Sequence, residues 1–368
     1  MMVTAKKEKI LVAMSGGVDS SMAAYLLKEA GHDVIGGTMI LWIDPSSKTA
    51  ESASSSAVSQ PQIVAEAKKV AEYLKIEHVV FEMKTLFYDT IVSSFKHEYL
   101  AGRTPNPCVE CNRLIKFGSL VQKALALGAS RIATGHYVNN VYDKTLKRYK
   151  LFKGQDTGKD QSYMLYTLGQ NELALSLFPL GGYTKGQVRN MAGSINLPVA
   201  NKDESQEICF IPDNDYRSFL AKYCPEAVSK GEIVSSKGEH LGYHRGIAYY
   251  TVGQRKGLGL TTTVPYYVTS IDATKNRIYV GELSETYCKG LTVERFNYIS
   301  GFIPEKIKNM LVKIRYKAQA VPAMVYPPEN GRIVVEFEQP QKAISPGQSA
   351  VFYCDEELIG GGVISGSF

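Results

Sequence analysis

Two groups of residues in this 368-residue chain have types and spacings that could do chemistry. The first is the turn Ser15-Gly-Gly-Val-Asp-Ser-Ser21, which follows an apolar run (Ile10 to Met14) and precedes a helical pattern (Ser21 to Ala30). A glycine turn between strand and helix is an anion site. The amides of Gly16 to Ser20 and the positive end of the helix dipole face outward, and Gly16 and Gly17 leave room for close approach. Ser15, Asp19, Ser20 and Ser21 add side-chain oxygens. The turn has no lysine, so it is not the G-x-x-x-x-G-K-[ST] nucleotide loop, and it lacks the G-x-G-x-x-G spacing of dinucleotide folds. The plainer alternative is a strand-to-helix turn with Asp19 or Ser20 as helix N-cap.

The second group is three cysteines. Cys108 and Cys111 lie in Thr104-Pro-Asn-Pro-Cys-Val-Glu-Cys-Asn-Arg113, on the N-terminal side of a helix, and Cys209 lies in Asp203-Glu-Ser-Gln-Glu-Ile-Cys-Phe-Ile211. A helix N-terminus lowers a thiol pKa from about 8.5 and favours the nucleophilic thiolate. A structural zinc site would need a fourth ligand, and no second C-x-x-C exists. A thiol pair, one cysteine carrying activated sulfur and the other resolving it, uses two of the three. A three-thiolate iron–sulfur cluster on Cys108, Cys111 and Cys209, with one iron left open, uses all three. Cys224, Cys288 and Cys354 have no comparable context.

The elements that must position these groups alternate. Val34 to Leu41 reads as a buried strand, Ile63 to Leu74 as a helix, His78 to Phe81 as a strand, Leu86 to Tyr99 and Leu114 to Leu127 as helices, and Arg131 to Thr134 as a strand. Gly31 and Gly128 are placed as helix stops. The expected fold class is therefore α/β, a doubly wound parallel sheet whose ligands sit beyond the carboxyl ends of the strands. Gly135-His136-Tyr137 follows one such end. Ser46 to Gln60 holds seven serines in fifteen residues and reads as a loop. Lys144 to Lys159 carries six Lys or Arg against Asp156, a ribbon that suits nucleic acid or, equally, a solvated hairpin.

From about Gly231 the pattern changes to short β-type runs: Ile247 to Val252, Val264 to Ile271, Arg277 to Val280, Met310 to Ile314, Arg332 to Phe337 and Ala350 to Cys354. A small central module and a C-terminal β-barrel are expected, with domains at 1–205, 206–286 and 287–368. The hydrophobic fraction of 44% and charged fraction of 21% describe a soluble globular chain. The formal charge of +6 permits a polyanionic partner without requiring one. No apolar run reaches membrane-span length, and the start leaves no room for a signal peptide. The expectation is a cytoplasmic protein with no membrane partner, and six cysteines do not make a disulfide scaffold.

SGGVDSS resembles the pyrophosphate loop of the ATP-pyrophosphatase superfamily, whose members cleave ATP between the α and β phosphates and adenylate a carbonyl oxygen. With GRTPNPCVECNRLIKFG, ATGHY, GKDQSYMLY, ESQEICFI, YYTVGQRKGLG and SPGQSAVFY, all in order from residue 15 to 353, the chain resembles the bacterial tRNA 2-thiouridylases. These replace O2 of the wobble uridine by sulfur. The resemblance implies ATP and Mg2+ as cofactors, a tRNA with a modifiable wobble uridine as partner, and a sulfur donor such as a cysteine desulfurase or sulfur-relay protein. It implies that Ala13, Met14, Ser15, Gly16, Gly17, Val18, Asp19, Ser20, Met39 and Gly135 hold ATP. It places Asn106, Pro107 and Cys108 at the target base, and His136, Lys159, Asp160, Gln161, Arg315, Tyr316 and Gln348 on the tRNA. Cys209 would carry the persulfide and Cys111 would complete transfer through a transient Cys111–Cys209 disulfide. Some members have Asp where this chain has Cys108, so the C-x-x-C keeps the cluster reading open beside the persulfide relay.

Two other functions stay in view. One is an adenylating ligase of the same superfamily, which would need an amine or ammonia site and leaves the cysteines and the β-rich half without a role. The other is an RNA-binding iron–sulfur redox sensor, whose glycine turn would hold no ATP.

Overall fold

The computed structural model describes residues 7–43, 60–203, 208–211, 215–261 and 264–368. Strand β1 (Lys9–Ala13) is the axis of the N-terminal sheet, with Ile10, Leu11 and Val12 fully buried, as a strand covered on both faces requires. It pairs in parallel with β2 (Asp33–Ile40), which pairs with β3 (Glu77–Glu82); on its other side lies β4 (Arg131–Ala133). The chain then forms a hairpin, β5 (Val138–Asp143) and β6 (Arg148–Lys153), before β7 (Ser176–Leu177) completes the sheet in the order β3-β2-β1-β4-β7. Helices cover both faces. Ile10 and Val12 pack towards α1 (Val18–Glu29), α2 (Gln60–Leu74) and the helix Lys185–Ser194, while Leu11 packs towards helices 84–100 and 107–126. The connection reverses direction between β1 and β4, and the crevice at their carboxyl ends is where such folds bind ligands.

The strands of the central module are β8 (Gly231–Ser235), β9 (His240–His244), β10 (Tyr267–Asp272) and β11 (Arg277–Gly281), in the order β10-β11-β8-β9. The third unit runs β12 (Tyr287–Tyr298), β13 (Lys308–Lys313), β14 (Val321–Val325), β15 (Ile333–Lys342), β16 (Ser349–Cys354) and β17 (Glu357–Ser367). Pairing of β12 with β17 closes these six into a barrel. The β5–β6 hairpin from the first unit joins its outside, with Leu151 opposite Leu358 and Phe152 opposite Glu357.

Several expectations change. Ile247 to Val252 is not a strand: Ile247–Tyr249 forms a 3-10 turn. The cause is Gly246 at φ 134°, packed so that a Cβ would lie 2.3 Å from Val228 Cα, which turns the chain inward and buries Ile247 and Tyr250. The helix that carries Cys108 and Cys111 starts at Pro107 rather than Leu114, and is wound as a π-helix over Cys111–Ser119. Strands β5, β7, β8, β9, β12, β14 and β17 have no counterpart among the expected strands. Of the Ser-rich stretch, residues 46–59 lie outside the described residues.

The three units share one hydrophobic cluster and many polar contacts, among them a charged clamp between the central module and the barrel. Arg315, just past β13, donates from one guanidinium nitrogen to Val252 O (3.2 Å) in the central module and to Ala343 O (2.7 Å) and Ser345 Oγ (2.9 Å) in the barrel. Hydrogen bonds from a charged donor contribute about 1.5–3 kcal/mol each, and losing one leaves acceptors unsatisfied. Arg315→Met is expected to lower unfolding free energy by about 2–4 kcal/mol, read from the urea midpoint at unchanged slope; a loss below about 0.5 kcal/mol would show that the clamp contributes nothing.

Candidate active site

The β1–α1 turn is shaped by what surrounds it. Gly16 has φ 67°, and a Cβ there would stand 3.0 Å from Ile63 O of α2. The N-cap is Gly17, which has no side chain to offer, so neither Asp19 nor Ser20 caps the helix. Instead Ser20 Oγ accepts from Ser15 N (3.1 Å) and donates to Gly17 O (3.2 Å), which folds the turn back on itself. Thr38 of β2 donates to Met14 O (3.0 Å) and bonds His78 (2.8 Å). Gly135 packs against the first turn of α1 so closely that a Cβ would lie 2.7 Å from Ser20 N.

Asp19 is held twice. Both carboxylate oxygens accept from Lys185 Nζ at 2.7 Å, and Oδ1 accepts from Tyr137 Oη at 2.7 Å. Lys185 is buried and opens a helix whose N-cap is Thr184 in a capping box with Gln187. A second ion pair joins Lys202 to Glu66 of α2, and Lys202 also donates to Gly16 O (3.2 Å). Neither lysine was found from the sequence. The Thr184-x-x-Gln187 spacing could have marked the helix start, but not its partner, which is 166 residues away.

Beyond the turn lies a cavity of about 370 Å³. Seven of the ten expected ATP residues line it: Ala13, Met14, Ser15, Asp19, Ser20, Met39 and Gly135. Gly16, Gly17 and Val18 belong to the same turn and helix start but are not among the lining residues. Cys108, Cys111 and Cys209 all line the same cavity, with Pro107, His136 and Gln161. Cys108 follows Pro107, the first residue of its helix. Cys209 is placed by its neighbour Phe210, which is buried among Phe87, Phe95 and Phe219 at ring-centroid distances of 5.4–5.6 Å.

The thiols correct the expectation of a lowered pKa. Cys108 and Cys209 present their surface to the cavity, yet the protein crowding all three disfavours the charged form. Burial raises Cys111 to about 11 and raises Cys108 and Cys209 too, with the charge of Lys116 opposing it in each case. The helix terminus is present but loses to desolvation. His136 is buried, shares a 2.7 Å bond with Thr134 Oγ1, and is held neutral by burial and by Lys116.

An iron–sulfur cluster would require the three sulfurs at one point. Among the described residues no group of three His, Cys, Asp or Glu side chains stands close enough to hold a metal ion, so the trio as placed does not fit a cluster. For Mg2+, the one acid among the described residues lining the cavity is Asp19, already held by Lys185. A magnesium ion here would be held chiefly by phosphate oxygens and water.

Apart from Gln161, the expected tRNA residues not yet placed lie outside this cavity. Asp160 is buried and accepts from Gly154 N, Ser162 N and Ser162 Oγ, which orders its own loop. Gln161 Oε1 accepts from Tyr137 N (3.1 Å). Gln348 donates to Thr104 O (2.9 Å) and Pro105 O (3.2 Å), and Thr104 N donates to Pro346 O (2.8 Å); the barrel thus fixes the segment that leads to Cys108. Asn106 lies in that segment, its Nδ2 3.6 Å from Met164 Sδ. Lys159 and Tyr316 are half-buried, the latter 6.0 Å from the Tyr163 ring, and Arg315 is the clamp described above. In the basic hairpin, Lys150 pairs with Asp143 and Glu357, and Lys153 with Glu356, so part of its charge is neutralised by the barrel.

Comparison with known proteins matches each unit. Residues 8–213 match the family described as tRNA methyl transferase HUP domain, 217–282 its PRC-barrel domain, and 288–364 the aminomethyltransferase beta-barrel domain. The chain is 51% identical over 357 residues to tRNA-specific 2-thiouridylase MnmA 1 of Caldanaerobacter subterraneus subsp. tengcongensis, with 97% of each chain covered. It is 49% identical over 356 residues to MnmA 2 of Thermoanaerobacter sp. (strain X514), again with 97% of each covered. It is 46% identical over 358 residues to MnmA of Acetivibrio thermocellus, covering 97% of this chain and 99% of that one. A phosphate turn and two thiol-bearing segments opening on one cavity, with such similarity along nearly the whole chain, place it in a family: the chain belongs to the tRNA-specific 2-thiouridylases.

Proposed function

We propose that this protein replaces O2 of a tRNA wobble uridine by sulfur, consuming ATP and releasing AMP and pyrophosphate. The observation that carries the reading is that the phosphate turn and the Cys111 and Cys209 thiols line one cavity. A uridine C2 carbonyl is a poor electrophile and its oxygen a poor leaving group. Attack of O2 on the α-phosphorus breaks the bond to pyrophosphate, and the oxygen becomes part of AMP. The turn's amides and the α1 dipole receive the pyrophosphate charge. Mg2+, when bound, neutralises the phosphates.

The sulfur arrives as a persulfide on Cys209, loaded by a sulfur donor. Its terminal sulfur adds to C2, and the C2–O bond breaks with its electron pair leaving on AMP. The Cys111 thiolate then attacks the inner sulfur of Cys209. That S–S bond breaks, its electrons go to the new thiocarbonyl, and a Cys111–Cys209 disulfide remains for an external thiol to reduce. The base must leave the anticodon stack to reach this depth, at a cost of a few kcal/mol that a single-stranded loop keeps low. His136, neutral, and Gln161 supply hydrogen-bonding groups on the cavity wall for that base. Asn106, Pro107 and Cys108 border it, and Lys159 and Tyr316 extend the tRNA surface. On this reading Asp160, Arg315 and Gln348 serve the tRNA by fixing the loops that meet it, since their polar groups are used inside the protein.

With ATP, Mg2+, a sulfane-sulfur donor and tRNA lacking the modification, the protein is expected to yield 2-thiouridine and AMP in equal amounts. ATP left intact with every donor would overturn the reading. Cys111→Ala and Cys209→Ala are expected to abolish thiolation with tRNA affinity kept, and Cys108→Ala to retain at least about half the rate, measured by nucleoside mass spectrometry. Loss of activity in Cys108→Ala, with stoichiometric iron and acid-labile sulfide in the parent protein, would favour the cluster instead.

Gly135→Ala should raise the KM for ATP at least about tenfold, because the added methyl must displace the first turn of α1. An unchanged KM would place the nucleotide away from that turn.

A further inference from the structure

The cavity holds one charge to which nothing above assigns a task. Among its described lining residues Lys116 is the only lysine or arginine. The other non-thiol ionisable groups there are spent or neutral: Asp19 is held by Lys185, and His136 is uncharged. Arg113, three residues away, is taken by Glu110, whereas no described acid pairs with Lys116.

Its position follows from the helix winding. In an α-helix, residues five apart point about 140° from each other. Over Cys111–Ser119 the helix is π-wound, where residues i and i+5 are hydrogen-bonded neighbours along the axis. Cys111 and Lys116 are such a pair, so the unusual winding brings the ammonium to the face that carries the thiol. Its charge acts on Cys108, Cys111 and Cys209 together, in each case against burial. Asp19, at the phosphate end, is paired instead with Lys185.

We propose that Lys116 is a catalytic residue for sulfur transfer, its ammonium holding the anionic sulfur nucleophile beside the adenylated uridine in a cavity that otherwise disfavours negative charge. The proposal rests on the thiolation reading above. Lys116 gives up no proton in the step. The electron pair that attacks C2 comes from the persulfide sulfur, and the pair released from the C2–O bond leaves on AMP. What the lysine supplies is a fixed positive charge where burial would otherwise keep sulfur protonated and unreactive.

The test compares Lys116→Met and Lys116→Arg with the parent in three measurements: pyrophosphate formation before sulfur is supplied, the single-turnover rate of 2-thiouridine formation after Cys209 is loaded by a sulfane-sulfur donor, and the Kd for unmodified tRNA. Lys116→Met is expected to slow thiolation about 100-fold while pyrophosphate formation and Kd stay within about threefold; Lys116→Arg should recover at least about tenfold. Thiolation within about threefold of the parent would overturn the proposal. So would an equal fall in pyrophosphate formation, which would place the lysine on the phosphates, or an equal loss of tRNA affinity, which would make it a backbone contact. If Lys116→Met does not fold, Lys116→Gln serves the same comparison. A parent protein that makes no 2-thiouridine would count against the thiolation reading and not against the lysine's role.

Discussion

The first turn of α1 has to be bare, and much of the N-terminal unit is arranged to keep it so. Gly17 caps the helix without a side chain, Gly135 comes within a methyl's reach of Ser20 N, and Gly16 takes a left-handed conformation against α2. Backbone amides can collect an anion only if nothing of the protein's own fills the space before them. Carboxylates are the natural intruders. Asp19 is drawn sideways by Lys185 and Tyr137, and Glu66 by Lys202. The turn is thus emptied by ion pairs made around it.

At the other end of the cavity the problem is reversed, because thiols must be brought in and kept reactive. Aromatic packing does the first: Phe210 anchors Cys209, and Pro107 starts the helix that carries Cys108 and Cys111. It also works against the second, since the apolar wall that positions a thiol suppresses its ionisation. A cation on the same face is the economical remedy, and the π winding delivers one.

Much of this could be read from the chain alone. The β1-turn-α1 unit, the parallel sheet and the barrel announced themselves through runs of buried residues, glycine stops and turn dipeptides such as Asn330-Gly331, whose φ values of 49° and 75° suit a tight hairpin. Motif residues that face the cavity were also legible, because their chemistry is carried by type and local spacing. What failed was non-local or depended on winding. Lys185 and Lys202 meet partners 166 and 136 residues away, which no window reveals. Lys116 lies off the cysteine face by α-helical counting. The internal hydrogen bonds of Asp160, Arg315 and Gln348 are likewise invisible in their motifs. Strands such as β12 and β17 escaped because closure of the barrel buries both in patterns broken by bulges.

The seam between the β5–β6 hairpin and β17 has a consequence for how the molecule is made. Leu151 finds its partner Leu358 only after 207 further residues have been added. A chain still on the ribosome therefore carries a hairpin with an unsatisfied edge, next to a loop whose segment 104–105 awaits Gln348. The cysteine-bearing helix starts just beyond that loop. A product truncated before the barrel lacks the brace for its own reactive thiols, so completion of synthesis and assembly of the reactive centre become one event. Long-range pairing of this kind slows folding.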